Sequence, residues 1–101
     1  MREKLELVSP GEILLEEFMR PFEIGRNQLA RDLDVPVGRI NDIVHARRGI
    51  SADTALRLAA YFSTTAEFWL NLQSGYDLKL AARTVGPKII KSVRPRRSEA
   101  A

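Results

Sequence analysis

Between Gly25 and Gly49, two short runs with helical apolar spacing flank a tight turn signal. Leu29, Ala30 and Leu33 mark the first; Ile40, Ile43 and Val44 mark the second; Asp34-Val35-Pro36 separates them. Two short helices joined by a tight turn, with a small residue midway in the first, are the makings of a helix-turn-helix. Ala30 is small where the second helix of the pair has to cross close above it. Leu29, Leu33, Val35, Ile40 and Val44 attach both helices to the remaining core. The turn needs a residue that tolerates the left-handed conformation. Asp34 takes that place instead of the more usual glycine, at some cost. Pro36 suits the start of the second helix of the pair, and Gly49 is expected to end it after Arg47-Arg48. The motif spans about residues 26–46.

The flanking sequence is punctuated in the same way. Ser9-Pro10-Gly11-Glu12 reads as a capping box ahead of Ile13, Leu14 and Phe18, and Pro21 closes that first helix. Phe22 and Ile24 are expected to bury the connection that follows. Ser51 is the expected N-cap of a fourth helix carrying Ala55, Leu56, Ala59 and Phe62. Thr64 or Thr65 caps a fifth, along which Phe68, Trp69, Leu72, Tyr76 and Leu80 recur at three- and four-residue steps. Gly86-Pro87 then breaks the pattern. The one strand candidate is residues 89–93. The expectation is an all-α chain: a five-helix domain over residues 1–82 and a flexible basic tail over residues 83–101.

Charge is distributed unevenly over the 101 residues, whose net charge is +3. Residues 1–78 carry nine basic and twelve acidic side chains, yet residues 26–48 alone hold five arginines against three aspartates. Residues 79–101 carry seven basic side chains and one acidic, Glu99. Positive charge concentrated in one central segment and one tail fits a polyanionic partner. The chain has no cysteine and a single histidine, which excludes disulfides, thiolate metal sites and multi-histidine sites. No apolar run approaches the roughly 20 residues of a membrane span, and no signal-peptide pattern opens the chain, so a cytoplasmic protein is expected. Paired nucleophile and base residues and glycine-rich phosphate loops are missing, so no catalytic residue, metal or cofactor is assigned and the chain does not read as an enzyme.

In a helix-turn-helix, the exposed face of the second helix is free to enter a major groove. Val37, Gly38, Arg39, Asn41 and Asp42 are the candidate base-reading residues. The pairings would be Arg39 to guanine, Asn41 to adenine and Val37 to a thymine methyl, while Asp42 could instead orient Arg39. Arg26, Asn27, Pro36, His45, Arg47 and Arg48 are the candidate phosphate contacts, which fix register without reading sequence. Arg57 reads as a surface or salt-bridge residue. On the fifth helix, Phe68 and Leu72 suit the core, while Trp69 and Tyr76, with Leu72 and Leu80 on the same stripe, are assigned to a dimer interface. Lys88, Lys91, Arg94, Arg96 and Arg97 form a DNA arm, a toxin-binding strand or a solvated end; the first is favoured over the second.

These stretches together resemble the HigA-type antitoxins of the Xre-like, lambda-repressor-like helix-turn-helix family, also called VapI-like. The resemblance rests on 9–14 (SPGEIL), 28–30 (QLA), 35–41 (VPVGRIN), 43–50 (IVHARRGI), 53–58 (DTALRL), 67–73 (EFWLNLQ) and 76–78 (YDL), covering about residues 8–80. The phenylalanine-tryptophan stretch is the specific part, since a generic Xre domain lacks it. Ser9 stands where histidine is common, Gly25 where serine usually caps, and Ala46 where glycine is common. The resemblance implies a homodimeric repressor with its dimer contacts in the fifth helix. Its partners would be double-stranded operator DNA in its own promoter and a HigB-type mRNA-cleaving toxin. The alternatives are a free-standing Xre-type regulator without a toxin and an interaction-only module that neutralises a toxin.

Overall fold

The computed structural model describes residues 7–96. Six helices and no strand occur among them. The first, α1 (Pro10–Ile13), continues directly into a π-wound stretch, Leu14–Met19. Then come α2 (Arg26–Leu33), α3 (Val37–Val44), α4 (Ala52–Phe62), α5 (Ala66–Thr84) and α6 (Gly86–Ser92).

Side-chain caps start three of these helices. The hydroxyls of Ser9, Ser51 and Thr65 accept from the backbone N–H groups of Glu12, Thr54 and Phe68 at 3.2, 3.3 and 3.1 Å. Thr65 therefore caps α5. Thr64 serves a different purpose, accepting the indole N–H of Trp69 at 2.7 Å. Gly25 and Pro36 occupy the N-cap positions of α2 and α3 without a side-chain hydrogen bond.

Four helix ends share one device. Glu23, Asp34, Ala46 and Ser63 are left-handed, with φ of 56°, 61°, 61° and 59°. After each, the next N–H reaches back five residues: Ile24 to Met19 (2.8 Å), Val35 to Ala30 (3.0 Å), Arg47 to Asp42 (2.8 Å) and Thr64 to Ala59 (3.1 Å). This is the Schellman arrangement, which usually places glycine at the left-handed position. Here no described glycine has a positive φ. Asp34 takes the expected role, but α3 is closed by Ala46 and not by Gly49. Gly49 is instead a packing position, where a β-carbon would press the Gln73 carboxamide at 3.0 Å.

The core is built from Leu14, Met19, Leu29, Ala30, Leu33, Ile40, Ile43, Ile50, Ala55, Leu58 and Trp69, all buried. Phe18 lies at its aromatic end, its ring centroid 4.8 Å from Trp69 and 5.0 Å from Phe62. Gly11 lets α1 rest on α3, since a β-carbon there would overlap the Ile43 carbonyl oxygen. Trp69 is 0% exposed, so it is a core residue and not part of a dimer face. Its neighbour Phe68, expected in the core, is 37% exposed. Adjacent residues on a helix point about 100° apart, so only one of the two can face the interior. Phe22 is 65% exposed and does not bury its turn, whereas Ile24 packs against the core.

Residues expected to form a tail are partly helical. α5 runs past residue 82 to Thr84, and Gly86-Pro87 opens α6 with proline in its first turn, where the missing N–H costs nothing. The strand candidate at 89–93 is thus mostly helix. Arg97 and the residues after it lie outside the described residues.

Candidate nucleic-acid interface

The turn between α2 and α3 is held by its own backbone and by one arginine from α4. The Asp34 N–H donates to the Arg31 carbonyl at 3.1 Å. Arg57 then places its Nη1 at 2.8 Å from the Leu33 carbonyl and 3.3 Å from the Asp34 carbonyl. These carbonyls belong to the negative end of α2, where a cation is favoured. Arg57, read from sequence as a surface or salt-bridge residue, does pair with Asp53 at 2.7 Å and is in addition a clamp on the turn. The signal could not be found by periodicity, because its acceptors are backbone atoms 23 and 24 positions earlier.

α3 buries Ile40 and Ile43 and turns its first residues outward. Val37 is 39% exposed, and the space beside Gly38 is open. The polar candidates on α3 are all tethered. Arg39 Nη1 donates to Asp53 Oδ1 at 3.2 Å. Asn41 Oδ1 accepts from Arg26 Nη1 at 3.5 Å, linking α3 to the start of α2. Asp42 Oδ1 takes Arg47 Nε at 3.2 Å. Asp42 thus orients Arg47, and Asp53 is the carboxylate that meets Arg39.

Asp53 was absent from the sequence candidates. It lies in the first turn of α4, and its Oδ1 accepts from both Arg57 Nε at 2.7 Å and Arg39 Nη1 at 3.2 Å. The Arg57 guanidinium, and behind it Arg39, hold its carboxyl below the ordinary aspartate range, even against some desolvation.

The candidate phosphate contacts surround this surface. Asn27, Pro36, His45, Arg47 and Arg48 are exposed and Arg26 is half-buried. The His45 ring Nδ1 lies 2.8 Å from the Asn41 carbonyl, so the ring folds back over the end of α3. The loop after α3 is fastened to α5 by Gln73, whose Oε1 accepts the Ile50 N–H at 2.7 Å. Sequence reasoning assigned Gln73 no role. The result is a face braced by these contacts, with two helix starts and a clamped turn, in a segment (residues 26–48) that holds five arginines and three aspartates.

The remaining candidates lie on α5, where Tyr76 and Leu80 share a cleft with Arg47 and Arg48. Leu72 and Tyr76, half-buried, line a cleft of about 410 Å³ with Leu7, Val8, Ile13, Asn71, Gly75 and Lys79. Leu80 is 38% exposed. Among the described residues no cluster of histidine, cysteine, aspartate or glutamate could hold a metal ion, and no helix is long and apolar enough to cross a membrane.

The fold recurs in solved structures. Pseudomonas aeruginosa antitoxin HigA, solved with the higBA promoter, is 47% identical, with a TM-score of 0.87 over 91% of this chain and 100% of that one. An addiction-module antidote protein of the HigA family from Coxiella burnetii is 49% identical, with a TM-score of 0.84 over 90% of this chain and 99% of its own. Virulence-associated protein I of Dichelobacter nodosus is 49% identical over 80 residues, which is 79% of this chain and 74% of that protein. No family model matches the chain. With the same helices in the same order at nearly half identity over nine-tenths of its length, the chain belongs to the HigA-type, VapI-like helix-turn-helix antitoxins.

Proposed function

We propose that the chain is a DNA-binding antitoxin: a homodimer that represses its own operon and neutralises a HigB-type mRNA-cleaving toxin. The observation that carries the reading is the α2–α3 face itself. It is clamped, rich in arginine and exposed at Val37 and Gly38, on a chain 47% identical to a HigA that was solved with promoter DNA. Val37, Gly38, Arg39, Asn41 and Asp42 are assigned to the base edges. Arg26, Asn27, Pro36, His45, Arg47 and Arg48 are assigned to the phosphates around them.

A homodimer is supported by the outer part of the molecule. α6 contributes no buried residue, and its Ile89, Ile90 and Val93 are 47%, 81% and 58% exposed. Leu78 on α5 and Val85, the residue between α5 and α6, are 72% and 43% exposed. With Leu80, these are large apolar side chains left exposed by the described residues, and a second copy is the proposed cover. Leu72 and Tyr76 remain available to the same contact; Trp69 does not.

The test is an anisotropy titration of the duplex upstream of the gene, with and without a HigB-type toxin, and a ribonuclease assay of that toxin. Sequence-specific binding by two chains and loss of ribonuclease activity on adding the antitoxin are the expected results. Binding that is equal for scrambled duplex would overturn the repressor reading. An uninhibited toxin would overturn the antitoxin reading.

A further inference from the structure

The Asp53 carboxylate stands between two arginines that do different work. Arg57 clamps the helix turn through the Leu33 and Asp34 carbonyls, and Arg39 is the arginine at the outward start of α3. Both donate to the same oxygen, Asp53 Oδ1. Arg39 is also the one described residue with a buried side-chain nitrogen lacking a partner, its Nε. Its side chain is only 27% exposed. With Nε facing the protein and one Nη1 hydrogen on Asp53, the guanidinium keeps its Nη end for anything that approaches from outside. A guanidinium reads guanine through two parallel N–H bonds to O6 and N7, a geometry that a freely rotating side chain seldom presents.

We infer that Asp53 is a specificity-determining positioning residue: it fixes the aim of the Arg39 Nη fork toward a guanine, and through Arg57 it ties that aim to the helix turn. The inference rests on the DNA-reading face proposed above. The alternative role for a carboxylate at this place is plain repulsion of phosphate, and the two roles have opposite signs. Loss of a repelling charge strengthens binding to every duplex alike. Loss of a positioning contact weakens binding to the cognate site alone.

The experiment begins with the wild-type chain selecting its site from a pool of randomised duplexes. Asp53→Asn, Asp53→Ser and Arg39→Ala are then titrated against the selected duplex and a scrambled one of equal length. Thermal unfolding of each variant is followed in parallel. Asp53→Asn is expected to weaken binding to the selected site about tenfold, within the range for a good bidentate base contact. Binding to the scrambled duplex is expected to hold or strengthen. In an Arg39→Ala background, the same substitution is expected to leave the ratio of the two affinities within about twofold, because a residue that acts through Arg39 has nothing left to aim. Equal strengthening on both duplexes would show repulsion and overturn the inference. Equal weakening on both, with a lowered unfolding temperature, would show a merely structural role and overturn it too. An undiminished ratio in the Asn and Ser variants, or a further tenfold loss of ratio when Asp53→Asn is added to Arg39→Ala, would do the same. If the wild-type chain selects no sequence at all, the DNA-reading function itself falls, which is a separate failure.

Discussion

At the scale of single residues, the backbone stores strain where a residue with a β-carbon is held in the left-handed region. Ala46 is left-handed at the end of α3 with φ of 61°. A β-carbon in that region costs on the order of 1–2 kcal/mol. Ala46→Gly is therefore expected to stabilise the chain by about 1 kcal/mol, less the added entropy of the unfolded glycine. Chemical denaturation would show the midpoint rising at unchanged slope. Gly11→Ala is expected to act in the opposite direction. Its β-carbon would overlap the Ile43 carbonyl oxygen, backbone that cannot swing aside, so α1 must lift off α3. A loss of roughly 1–3 kcal/mol, typical of forced overpacking, should appear in the same measurement. Trp69→Ala is expected to cost about 3–5 kcal/mol, as a deleted core aromatic does. An unfolding curve unaffected by that change would contradict the placement of the indole in the core.

At the scale of elements, much of the fold was legible because its punctuation is local. Ser9, Ser51 and Thr65 cap helices by reaching three residues forward, and Asp34 marks a turn that its own conformation makes. What the sequence did not disclose depends on partners distant in the chain. Arg39 and Asp53 are 14 positions apart, and Arg57 meets carbonyls on the far side of α3. No periodicity encodes such pairs. Trp69 and Phe68 exchanged their expected places because neighbouring residues on an apolar stripe compete for one inward direction. Gly86-Pro87 was read as a break, yet the same dipeptide opens α6, since proline suits a helix start as well as it ends one. The clamp on the turn can be tested as an element. Arg57→Met is expected to loosen the α2–α3 hinge while leaving the α4–α5 core folded. Hydrogen exchange should accelerate at the amides of Asp34 and Val35 and not at those of Leu58 and Ala59. Uniform acceleration would contradict a local clamp.

At the scale of the whole molecule, the shape separates two tasks. The principal extents are 55 × 32 × 23 Å, long for a chain of this length, because α5 and α6 project beyond the helical core. The compact part carries the clamped α2–α3 face proposed to read DNA, and the projection carries exposed apolar residues. Ile90→Glu on that projection is expected to give a folded monomer. Sedimentation should report half the mass with unchanged helix content; a persistent dimer would move the interface elsewhere. The most direct test of the central claim, that α3 reads DNA as part of a symmetric pair, is the stoichiometry and sequence preference of binding measured together. Two chains are expected on one duplex site, and Arg39→Ala is expected to lose about 1–3 kcal/mol on the cognate duplex while keeping its affinity for scrambled DNA. One chain per site, or an equal loss on both duplexes, would contradict it.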